Sequence, residues 1–132
     1  MHSLLIAAVL LASQSYAQFH PRDSAIDARI SATMRSCMTK TGGITENMQN
    51  CLAAEYTRLD RALNRTYAIA MRATRNTLRP SQRDWLATRW VGCVEHMKRS
   101  GDGTGGDLAY RNCQLREVAR RTLWLEQQMR GK

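Results

Sequence analysis

The sequence predicts an all-α domain: a small antiparallel bundle of three main helices and one short N-terminal helix, stapled by disulfides. Three observations carry that expectation. Apolar residues recur at three- and four-residue spacing along nearly the whole chain beyond residue 23. No stretch of useful length alternates in the manner of a strand. Four cysteines, Cys37, Cys51, Cys93 and Cys113, are distributed among the periodic segments.

The first segment stands apart. Leu4 to Ala12 is an unbroken apolar run, ended by Ser13-Gln14 and followed by Ser15-Tyr16-Ala17, with small residues at the two positions a signal peptidase reads. The run falls well short of the roughly 20 apolar residues that cross a bilayer, so no transmembrane segment is expected. Residues 1–17 therefore read as a signal peptide and residues 18–132 as one exported domain, periplasmic or secreted. A remainder of about 115 residues suits a single core. In an oxidising compartment an even set of cysteines reads as a disulfide framework. Without a Cys-x-x-Cys pair or a nearby histidine pair, a zinc site is not expected, and no motif asks for a cofactor.

Residues 18–23 hold Pro21 and read as a loose lead. Ser24 is the expected cap of a first helix in which Ile26, Ile30, Met34 and Met38 recur every four residues as far as Gly42-Gly43. Thr45 is the expected cap of a much longer second helix, reaching about Thr77, with Met48, Leu52, Leu59, Leu63, Tyr67 and Ala70 on one face. Opposite them Arg58, Arg61, Arg65, Arg72 and Arg75 form a cationic outer face. Leu78-Arg79-Pro80-Ser81 interrupts the periodicity, and Pro80 suits a helix start. The third helix, about Ser81 to Met97, aligns Gln82, Leu86, Arg89, Trp90, Cys93 and Met97. The glycine-rich loop from Ser100 to Gly106 follows no strand and matches no phosphate-binding fingerprint, so it reads as a connector. Asp107 is the expected cap of the last helix, to about Met129, with Leu108, Leu115, Val118, Thr122, Leu125 and Met129 in a near-heptad stripe.

Alternating helix directions bring Cys51, Cys93 and Cys113 to one pole, and the Gly-Gly turn delivers Cys37 there too. Pairing Cys37 with Cys51 and Cys93 with Cys113 is preferred, because each bridge closes one turn between consecutive helices. Cys113 sits off the main stripe of its helix, with Tyr110 and Trp124, and this second seam leaves a Cys37 to Cys113 bridge open.

The formal charge is +9, from 20 basic and 11 acidic residues, none of them in the leader. Such a field favours anionic partners. At the pole away from the cysteines, Arg72, Arg75, Arg79 and Arg83 surround the Pro80 hairpin, joined by Arg130 and Lys132, and form a candidate anion-binding surface for cell-envelope polymer or lipid headgroups. Nucleic acid is not an expected partner, because export separates it from the chain and no base-stacking platform accompanies the arginines.

Several spaced elements occur together: Met48-x-x-Cys51, Glu55, Asp60-x-x-Leu63-Asn64-x-x-Tyr67, Gln82-x-x-Trp85-Leu86-x-x-Arg89-x-x-x-Cys93, Gly105-Gly106, Cys113, Arg121 and Leu125. In this order they resemble the lysozyme inhibitor LprI-like domain of small bacterial envelope proteins, from Cys37 to about Leu125. Val118 stands where that family usually has Thr, Trp90 where an Asp is typical, and Asp107 where a Ser often follows the glycines. The resemblance implies a helical fold and a binding function, occlusion of a lysozyme-like muramidase or related envelope enzyme. Asp60, Asn64 and Arg89 lie on or beside packed helix faces and read as a structural polar network joining the helices. An enzyme is not expected: beyond the leader only His20 and His96 remain, and no carboxylate pair or Ser/His/Asp grouping shares a face.

Overall fold

The computed structural model describes residues 21–101 and 103–131, so the expected signal peptide, residues 1–17, lies outside the described residues. Within them the chain forms α1 (Asp23–Asp27), α2 (Ala32–Thr39), α3 (Thr45–Ala73), α4 (Arg79–Thr88), α5 (Val91–Arg99) and α6 (Thr104–Arg130), and no strand. The chain runs up α3, down α4 and α5 and up α6, so the two long helices, of 29 and 27 residues, lie parallel and face to face. Leu52, Leu59, Leu63, Ala70 and Met71 of α3 meet Leu115, Val118, Ala119 and Leu125 of α6, with Ile26 of α1 and Leu78 completing the core.

Two expected helices are each broken in two. The first was expected to run unbroken from Ser24 to the glycines, but it stops at Asp27 and restarts at Ala32. In a continuous helix the Ser31 N–H would bond the Asp27 carbonyl; here it donates to Glu55 Oε2 at 2.5 Å. Arg35 Nη2 donates to the Asp27 carbonyl at 2.7 Å, which also accepts the Ile30 N–H at 3.1 Å, and Arg58 Nη2 donates to the Arg29 carbonyl at 2.5 Å. Side chains thus satisfy the backbone groups that the break exposes. The cap is Ser31, whose hydroxyl accepts from the Met34 N–H at 3.0 Å, rather than Ser24.

The third expected helix breaks at Arg89-Trp90 into α4 and α5. Leu86, expected on the packed stripe, is 48 % exposed, while Cys93 is fully buried. The two remaining expected caps also move. Thr45 is the first residue of α3, after an Ile44 N-cap, and Asp107 falls in the first turn of α6, after a Gly103 N-cap. Asp107 is used there to accept from Gln49 Nε2 at 2.7 Å and Arg111 Nε at 2.8 Å, which ties α6 to α3.

Candidate binding surface

The cysteine pole carries the preferred bridges, Cys37 to Cys51 and Cys93 to Cys113, with Cα atoms 5.8 and 5.4 Å apart. The alternative Cys37 to Cys113 bridge is therefore absent. The seam of α6 that holds Cys113 faces α5, and the N-terminal α1 takes another side of α6, where Arg116 pairs with Asp23 and Asp27. Beside the same pole, Gly106 lies so close to the end of α5 that a Cβ there would collide with the Gly101 carbonyl oxygen and press on Met97.

Midway along α3, Glu55 is 3 % exposed. It accepts from the Ser31 N–H, from the Ser31 hydroxyl at 3.1 Å and from Arg58 Nε at 2.5 Å. Burial alone would raise its carboxyl, but the hydrogen bonds from Arg58 and Ser31 outweigh that and hold it below the usual glutamate range. In sequence, Glu55 fits the apolar stripe between Leu52 and Leu59. A charged residue on a buried stripe is the signal that could have singled it out.

The polar network expected from Asp60, Asn64 and Arg89 is arranged differently. Asn64 is exposed, one step round the helix from the buried Leu63, and no hydrogen bond joins the three among the described residues. Arg89 instead lays its guanidinium over Trp90 at 4.5 Å and Trp85 at 5.6 Å from the ring centres. The buried cation is Arg121, whose Nε donates to Gln82 Oε1 at 2.9 Å and whose Nη2 donates to Ser81 Oγ at 3.0 Å. It also stacks on Trp124 at 4.0 Å and Trp85 at 5.6 Å. With Tyr56 against Trp90, the alternating rings and guanidiniums join α3, the α4–α5 break and α6. Trp90 adds its ring to this stack.

The opposite pole is basic. Arg72, Arg75, Arg79 and Arg83 are all exposed around the α3–α4 turn. Asp23, Asp27, Glu55, Glu95, Asp107, Glu117 and Glu126 pair with bases elsewhere, and none of the ion pairs among the described residues involves those four arginines. The turn is a Schellman motif: the Asn76 N–H reaches back to the Met71 carbonyl at 2.8 Å and the Arg75 N–H to the Arg72 carbonyl at 3.4 Å. The position that glycine usually fills in this motif is Arg75, with φ 55°, followed by Asn76 with φ 63°. Nothing in the sequence marked Arg75 as left-handed. Buried Thr74 and Leu78 hold the underside of the turn, next to a shallow recess of about 420 Å³ lined by Ala73, Thr74, Arg75 and Thr77.

The family model of the lysozyme inhibitor LprI matches residues 37–125. The chain belongs to this family. No curated protein and no solved structure matches it. The LprI-like spacing mixes interior and surface positions: Cys51, Glu55, Leu63, Gln82, Cys93, Gly106, Arg121 and Leu125 are buried, whereas Asn64, Leu86 and Gly105 are exposed. The four arginines of the basic pole lie inside the matched span but outside that spacing.

Among the described residues no group of histidines, cysteines or acids is arranged to hold a metal ion, and no helix is long and apolar enough to cross a membrane.

Proposed function

We propose that this protein is an exported, non-catalytic binding protein that blocks a muramidase or a related cell-envelope enzyme, acting in the periplasm or outside the cell. The LprI family match over residues 37–125 carries this reading. The scaffold supports it: two disulfides brace the cysteine pole and buried Arg121 fixes the start of α4 at the other end, and a braced fold limits the ordering loss on association. The charge of +9 selects the partner. Lysozymes of the common animal type are themselves strongly basic and are repelled on approach, whereas an acidic bacterial lytic enzyme is attracted. The test is inhibition of acidic and basic muramidases by the mature, oxidised protein. Inhibition of acidic enzymes that weakens with salt is expected, and no inhibition of either class overturns the proposal.

A second reading is a module that binds anionic envelope polymer or lipid headgroups. It is favoured by the four exposed arginines that carry no ion pair among the described residues. Sedimentation with cell-wall sacculi or anionic vesicles at low salt, released by added salt, is its expected signature. Protein left entirely in the supernatant at low salt removes it.

A further inference from the structure

We propose that the α3–α4 turn, tipped by Arg75, is the part of this protein that enters the muramidase cleft, where its guanidinium groups meet the paired carboxylates that glycosidases carry. This rests on the inhibitor reading above and names the surface responsible.

The first observation is the backbone at Arg75. Left-handed φ values are open to glycine and tolerated by asparagine, but they crowd the Cβ of other residues. The C-terminus of α3 is a Schellman motif that glycine would complete without strain, yet a long cation occupies the position. Strain kept at an exposed site points to use of the side chain held there.

The second observation is how firmly the turn is seated. The Thr74 hydroxyl donates to the Ala70 carbonyl at 2.7 Å and the Thr77 hydroxyl to the Thr74 carbonyl at 2.9 Å. Arg121 bonds both Ser81 and Gln82, fixing the start of α4 against α6. The arginines therefore project from a pre-shaped turn rather than a loose loop.

The third observation is charge. Arg72, Arg75, Arg79 and Arg83 are all exposed around this turn, with Asp84 the acidic residue beside them, and none of the four is held in an ion pair among the described residues. Four cations gathered at one turn complement the two carboxylates of a glycosidase cleft.

The experiment compares mature wild type, Arg75→Gly, Arg75→Lys and Lys98→Ala, the last at the far pole, in inhibition of an acidic muramidase. Melting is followed in parallel. Arg75→Gly should weaken inhibition at least tenfold while melting no lower than wild type, because glycine relieves the strain. Arg75→Lys should keep most of the inhibition, and Lys98→Ala all of it. If wild type inhibits and Arg75→Gly inhibits equally, the tip is not the contact surface, although the inhibitor reading stands. If wild type inhibits nothing but sediments with sacculi or anionic vesicles in an Arg75-dependent way, the cleft is the wrong occupant. If neither inhibition nor sedimentation occurs, both readings fall.

Discussion

Ser31 and Glu55 hold each other through two hydrogen bonds, backbone N–H to Oε2 at 2.5 Å and hydroxyl to Oε1 at 3.1 Å, and this contact sets both the break between α1 and α2 and the docking of α2 on α3. Replacing Glu55 with Ala leaves the Ser31 N–H without its partner and Arg58 without its carboxylate. The expected loss is about 1–3 kcal/mol, typical of hydrogen bonds to a charged group, measured by urea denaturation. An unchanged midpoint would show that the contact contributes nothing.

The same carboxylate gives acid sensitivity a sign. Its folded pKa lies below the ordinary value. Its stabilisation is therefore complete above the unfolded glutamate pKa, about 4.3, and drains away as pH falls through the lower folded value. Glu55→Gln should flatten the acid limb of a stability-against-pH curve and change little of its slope near neutrality. A mutant curve parallel to wild type throughout would assign that limb to other groups.

The bridges close chain separations of 14 and 20 residues, so each should stabilise the fold by about 3 kcal/mol. For a domain this small that is a large share of the total. Reductant should lower the melting temperature markedly. Mass analysis of the oxidised protein after proteolysis should recover Cys37 with Cys51 and Cys93 with Cys113, and any other pairing contradicts the fold.

Neighbouring glycines should respond in opposite ways. A Cβ at Gly105 meets only ordinary contact with the Ser100 carbonyl, whereas at Gly106 it strikes the Gly101 carbonyl. Gly106→Ala should cost about 1–3 kcal/mol by forcing α5 and α6 apart. Gly105→Ala should be neutral or slightly stabilising, because alanine is the better helix former. Thermal melts of the two variants, made side by side, decide this.

Arg121 is 6 % exposed and joins Ser81, Gln82, Trp85 and Trp124. Arg121→Lys retains the charge but loses the planar fork and much of the stacking, so it should behave as a disruptive change. A stability loss of about 2 kcal/mol with altered tryptophan fluorescence is expected. Wild-type emission and an unchanged melt would argue against the stack.

Much of the architecture was legible before the structure. The stripes from Leu52 to Ala70 and from Leu115 to Leu125 are long enough for period alone to identify two helices and the faces they bury. The preferred cysteine pairing followed from helix order, since consecutive helices reverse direction. The breaks at Ser31 and at Arg89-Trp90 were not legible. The first depends on a partner distant in the chain, Glu55, and at the second the ring of Tyr56, also distant in the chain, lies beside Trp90. The polar residues expected to join the helices, Asp60, Asn64 and Arg89, were chosen by proximity to an apolar face. One helical step separates exposed Asn64 from buried Leu63, a margin that spacing alone does not resolve.

What the chain determined by itself was periodic and additive: helical class, the packed faces of the two long helices, the cysteine pole, and a basic composition with arginines flanking Pro80. Tertiary structure decided which charges are used up and which are displayed. It buried Glu55 and Arg121 among partners far away in sequence, and it left Arg72, Arg75, Arg79 and Arg83 outside the ion pairs. The reason is that ion pairing and left-handed backbone are settled by three-dimensional neighbours, and a local pattern carries no record of them.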